Sequence, residues 1–78
     1  MKELNDDDFK KLINLSKGNK YGGETVYPYE YALEKINEYF KSLNLAVEIT
    51  EKDVKLNKCY GQYVMTSHYI KHIVNKYI

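Results

Sequence analysis

Residues 49–78 read ITEKDVKLNKCYGQYVMTSHYIKHIVNKYI, and the structure assigned to their first half decides the fold. Thr50 followed by Asp53 resembles a capping box with aspartate in the place of glutamate, which starts a helix over about 51–59. The rival is a short β-hairpin near 45–57, with Leu45 to Thr50 as one strand and Val54 and Leu56 alternating in the other. The helical reading is preferred. Gly61 then marks a turn, and Thr66 or Ser67 caps a last helix. Tyr69, Ile70, Ile73, Val74 and Tyr77 fall on one arc of that helix.

Upstream the helical period is clearer. Pro28 suits a first helical position, and over residues 28–43 Tyr29, Ala32, Leu33, Ile36, Tyr39, Phe40 and Leu43 share one face. Glu30, Glu34, Asn37, Glu38 and Lys41 share the other, and Asn44 stops the helix. A strand through the alternating Tyr27, Tyr29 and Tyr31 is disfavoured by Pro28 at its centre. An earlier helix is expected over residues 6–16, with Asn5 or Asp6 as cap, acidic residues at its positive end, and Phe9, Leu12, Ile13 and Ser16 on one stripe. Gly18 suits its left-handed end, and residues 17–27 read as a loop. The expectation is a mainly α single small domain over residues 1–78, with three to four helices.

At 78 residues the chain holds one thin core, which oligomerisation would help and which leaves little room for a deep catalytic pocket. Its longest uncharged run near the end, CYGQYVMTSHYI, is far shorter than the roughly 20 apolar residues of a membrane span. MKELNDDDF turns acidic where a secretory signal turns apolar, and the single Cys59 has no disulfide partner; both point to the cytoplasm. Net charge is +1, yet the final 28 residues hold five lysines against two acids, an asymmetry that hints at an anionic partner. Every basic residue is lysine, so bidentate arginine contacts are ruled out.

Several motif readings fail on spacing. The Gly-rich KGNKYGGE lacks the Lys and hydroxyl residue that a phosphate loop places after its last glycine. His68 and His72 lie four apart, but with only the distant Cys59 as a third ligand they make a poor zinc site. Cys59 with a histidine lacks an orienting group and a pocket. Asp6, Asp7 and Asp8 diverge around a helix start, where the dipole accounts for them. No catalytic residue, metal or cofactor is expected.

With its helix, Gly61, Val64 and Thr66 or Ser67 in this order, the C-terminal third loosely resembles the helix-turn-helix family of DNA-binding units. It departs from the family in the length of its turn and in Asn57, which stands where a small buried residue is expected. Independently of that likeness, Ser67, His68, Lys71, His72, Asn75 and Lys76 lie opposite the apolar arc of the last helix, and none is acidic. Such a face can neutralise phosphates and pair with base edges. A plain solvated helix with cations near its negative end explains the same pattern. The leading expectation is a non-enzymatic cytoplasmic DNA-binding regulator reading through residues 67–76, acting as a homodimer.

Nine tyrosines are the oddest feature of the composition. Tyr29, Tyr39, Tyr69 and Tyr77 fall on apolar arcs, whereas Tyr21, Tyr27, Tyr31, Tyr60 and Tyr63 do not, and tyrosine favours protein interfaces. The alternative function is therefore a small protein-binding modulator of mobile-element or phage type, acting on a host protein through Glu30, Tyr31, Glu34, Glu38, Tyr60 and Tyr63. In neither case is a membrane a partner.

Overall fold

In the computed structural model, residues 4–13, 15 and 18–78 are described, apart from the side chain of Tyr21. Among them the chain runs α1 (Asp6–Leu12), β1 (Asn19–Tyr21), β2 (Glu24–Pro28), α2 (Tyr29–Ser42), a single 3-10 turn (Glu51–Asp53), β3 (Asn57–Cys59), β4 (Gln62–Thr66) and α3 (Ser67–Tyr77). The strands form one antiparallel sheet in the order β1-β2-β4-β3. This is an α+β fold, which overturns the mainly helical expectation.

Two segments account for the difference. The expected loop over 17–27 contains a hairpin: Tyr21 pairs with Glu24 across a two-residue turn in which Gly22 and Gly23 have φ of 58° and 89°. The expected helix over about 51–59 and the helix-turn-helix likeness give way to a second hairpin, where Cys59 pairs with Gln62 around Tyr60 (φ 51°) and Gly61 (φ 81°). Both turns carry positive φ at both central residues, the geometry whose twist matches that of paired strands. The capping box is real, with Thr50 N donating to Asp53 Oδ2 at 2.8 Å. It caps only the 3-10 turn, because Val54 is already extended at φ −132°, ψ 158°. The rival hairpin near 45–57 is also displaced, since the strands are Asn57–Cys59 and Gln62–Thr66.

The helices follow the sequence more closely. α2 begins at Tyr29 with Pro28 as its cap, and Asn44 ends it in the left-handed region (φ 60°). There Leu45 N donates to Phe40 O at 3.0 Å and Asn44 N to Lys41 O at 3.0 Å, the pair of bonds that closes a Schellman motif. α3 is capped by Thr66, whose hydroxyl accepts from Tyr69 N at 3.1 Å. α1 is capped by Asn5, which accepts from Asp8 N at 2.7 Å. It ends at Leu12, not at residue 16, and Ser16 lies outside the described residues. Gly18 is not in the left-handed region; a Cβ there would come within 2.5 Å of the Tyr27 ring.

The fold is an internal repetition. With a shift of 38 positions, Asn19, Lys20, Gly23, Val26, Tyr31, Asn37 and Tyr39 recur as Asn57, Lys58, Gly61, Val64, Tyr69, Asn75 and Tyr77. Each half is a hairpin running directly into a helix. The central strands pair symmetrically: Tyr27 faces its own counterpart Met65, while Val26 faces Thr66 and Pro28 faces Val64. A pseudo-two-fold axis therefore passes between Tyr27 and Met65. Both helices pack on β2 and β4 and touch each other. Tyr27 and Met65 join Ala32, Ile36, Phe40, Ile70 and Val74 in the core beneath them. Side chains alternate along a strand, so Val26 and Val64 turn to the opposite sheet face.

The segments before each hairpin are held in a similar way, although the residues concerned, Leu4 and Ile49, are 45 positions apart and lie outside the 38-residue register. Leu4 and Ile49, each 3 % exposed, immediately precede the extended caps Asn5 of α1 and Thr50 of the 3-10 turn. Each is tied to the helix of the other half: Leu4 N donates to Asn75 Oδ1 at 2.6 Å, and Ile49 N donates to Asn37 Oδ1 at 2.8 Å. The two halves thus clasp each other. No helix among the described residues is long and apolar enough to cross a membrane.

Candidate functional site

The residues expected to read DNA do not share one free face. Asn75 is engaged by the backbone of Leu4. Lys71 reaches the N-terminal segment, with its Nζ 3.3 Å from Asp6 Oδ1 and 5.7 Å from the centre of the Phe9 ring. Ser67 is half-buried at the first turn. This leaves His68, His72 and Lys76 as an exposed stripe at i, i+4, i+8. His72 stacks on Tyr69 at 6.2 Å. Around a depression of about 380 Å³, His72 and Lys76 are joined by Lys52, Asp53 and Lys55 from the segment before β3.

The residues of the alternative set divide differently. Glu30, Glu34 and Glu38 form an exposed stripe on α2, while Tyr31 is half-buried with Lys35 Nζ 5.6 Å from its ring centre. Under the 38-residue shift the acidic stripe coincides with the stripe of α3, Glu30 with His68, Glu34 with His72 and Glu38 with Lys76. The corresponding positions differ in character, three carboxylates on α2 against two histidines and a lysine on α3. Glu38 lies beside Lys11 and Lys35 in a depression between α1 and α2. Among the described residues, neither Glu30 nor Glu34 takes part in an ion pair or a side-chain hydrogen bond.

Tyr60 and Tyr63 belong to the second hairpin. Tyr63 is 50 % exposed; its ring meets Tyr29 edge-on at 6.3 Å, and Lys58 Nζ lies 5.9 Å from its centre. Tyr60, at the hairpin tip, is 86 % exposed. Beside it, on the sheet face opposite Tyr27 and Met65, a depression of about 260 Å³ is lined by the buried Val26 and Val64 and the exposed Asn19 and Gln62.

The tyrosines also show where the phenols are constrained. Burial raises the pKa of Tyr27 above 10.0, with a smaller contribution from Tyr31. Tyr39 is raised by burial and then by the Asp8 carboxylate. Tyr29 is raised first by its neighbour Glu30, then by desolvation and Glu51. Among the described residues no three His, Cys, Asp or Glu side chains converge to hold a metal ion, and Cys59 is a free, half-buried thiol.

Sequence reasoning named Tyr60 but missed what sets it apart, which is its backbone. The signal that could have found it is the repetition itself: Tyr60-Gly61 occupies the place of Gly22-Gly23. No protein-family model, curated protein or solved structure matches this chain.

Proposed function

We propose that this chain is a non-enzymatic protein-binding module that docks through the β3–β4 hairpin, with Tyr60 as its anchor. The observation that carries the reading is the conformation of Tyr60. A side chain with a Cβ in the left-handed region costs roughly 1–2 kcal/mol. The sister turn meets the same geometry with glycine at that position (Gly22, φ 58°), so the fold has no need of an aromatic there. The chain nevertheless holds a tyrosine at φ 51° and leaves it 86 % exposed. Strain of this kind at an exposed position is a mark of function, and tyrosine is among the residues that dominate binding energy at protein interfaces. Tyr63, Lys58 and Tyr29 extend the same surface.

DNA contact through the exposed part of α3 is the second reading, supported by Lys52, Lys55 and Lys76, which with His72 and Asp53 line one depression. It is the weaker one because Lys71 and Asn75 are already engaged within the chain.

The test is Tyr60→Gly, which copies the sister turn. The protein reading expects a thermal midpoint equal to or a few degrees above that of the parent, since about 1 kcal/mol moves a domain of this size by about 4–8 °C. It also expects loss of a retained partner in affinity capture from lysate, unaffected by DNase. A lowered midpoint with capture unchanged would make Tyr60 structural and end the proposal. Retention that DNase abolishes would transfer the assignment to the DNA reading.

A further inference from the structure

We infer that the chain self-associates as a two-fold dimer in which the acidic stripe of α2 in one copy meets the histidine and lysine stripe of α3, with the neighbouring Lys52 and Lys55, in the other, twice over. This inference stands apart from the Tyr60 reading, because it uses the helical layer and not the second hairpin.

Three observations lead to it. Glu30 and Glu34 on α2, and His68, His72 and Lys76 on α3, are all exposed. The internal repetition puts these stripes at matching positions of two helices that pack on the same two strands and touch each other. The positive charge of the α3 stripe rests on Lys76, and Lys52 and Lys55 join it around the depression that it shares with His72, with Asp53 the one acid among them.

Within one copy the stripes lie on neighbouring helices related by the pseudo-two-fold, and no ion pair joins them among the described residues. A second copy can cover them. A two-fold axis running along the helices exchanges α2 of one copy with α3 of the other and sets the carboxylates over the histidines and lysines in two identical contacts. An axis across the helices would set acid on acid and is disfavoured by repulsion at both contacts. The complementarity is a property of the chain with itself, which argues for a second copy over an unrelated acidic or basic partner.

Size fixes the strength. α2 has 14 residues and is therefore about 21 Å long. Two such helices packed side by side present roughly 400 Å² a side, about half the standard interface. The dimer is accordingly weak and governed by charge. Its contacts are exposed, so salt screens them, the Debye length falling from above about 10 Å at low ionic strength to about 3 Å at 1 M.

The experiment is sedimentation velocity on the full chain over a concentration series, at about 50 mM and about 500 mM salt. The parent is expected to dimerise at low salt, with a dissociation constant about tenfold larger at high salt. Glu30→Lys with Glu34→Lys should be monomeric, as should His72→Glu with Lys76→Glu. An equimolar mixture of the two reversed proteins should restore the dimer. Glu30→Gln with Glu34→Gln removes the charge with less disturbance and should also weaken association, with circular dichroism confirming the fold. A parent that is monomeric throughout at low salt overturns the inference. So does a dimer that survives both reversals, or a pair of folded reversed proteins that fail to associate when mixed.

Discussion

The side-chain amide of Asn37 grips the backbone of Ile49 from both ends, donating to its carbonyl at 2.9 Å and accepting from its N–H at 2.8 Å. Asn75, the counterpart of Asn37, accepts one bond from Leu4 N at 2.6 Å. Ile49 and Leu4 are equally buried, so the difference between the sites lies in the number of backbone groups that would lose a partner. Asn37→Ala should cost about 2–4 kcal/mol and Asn75→Ala about 1–2 kcal/mol. Urea denaturation of both variants checks this, and an equal or reversed order would show that the clasp does not act as described.

The N-terminal segment is held by burial more than by charge. Asp6 and Lys71 form an ion pair at 3.3 Å, but the Asp6 side chain is 87 % exposed, and pairs of this kind contribute about 0–1 kcal/mol. Leu4 is 3 % exposed within the core. Asp6→Asn should shift stability by less than about 0.5 kcal/mol, whereas Leu4→Ala should cost about 2 kcal/mol or more. Thermal melts at two salt concentrations separate the two contributions, because only the first is screened.

Gly18 is fixed by close approach. A Cβ at this position would lie 2.5 Å from Tyr27 Cε1 and 2.7 Å from Thr25 Cγ2. The Tyr27 ring is 5 % exposed and cannot swing aside without disturbing the core. Gly18→Ala is expected to destabilise by about 1–3 kcal/mol, the usual cost of overpacking. Chemical denaturation measures it, and a neutral effect would mean that the backbone at Gly18 can retreat from β2.

Alkaline stability should track the buried phenols. The pKa of Tyr27 and of Tyr39 is raised in the folded chain, so above pH 10.0 the unfolded chain gives up these protons first. Their contribution is fully present below pH 10.0 and is lost as pH rises through the raised values. Stability should therefore fall with rising pH in that window, and Tyr27→Phe should make the fall shallower. Denaturation midpoints between about pH 9 and pH 11.5 give the slope directly. An unchanged slope in the variant would place the titrating group elsewhere.

Helix α2 was legible from Tyr29 to Asn44 because its pattern is long. Its apolar positions repeat over four turns, and Asn44 suits the left-handed cap it occupies. α3 was legible for the same reason, down to the Thr66 cap. The strands were not. β1 and β3 have three residues each, and β2 and β4 each bury two consecutive residues, one on each face, which leaves no alternation to detect. Gly22-Gly23 is a fair hairpin signal, but Tyr60-Gly61 conceals the second turn, since tyrosine seldom adopts positive φ.

The sequence by itself determined the two long helices, their caps and the exposed stripes that follow from their period, because each depends on contacts three or four residues apart. Tertiary structure alone decided that the segments between them pair into a sheet, that Lys71 and Asn75 turn inward to the N-terminal segment, and that Tyr60 stands strained at a tip. These depend on partners tens of residues away, as when Val26 meets Thr66 or Leu4 meets Asn75. A short strand has no stable conformation until its neighbour is present, and no local period announces the register in which that neighbour will arrive.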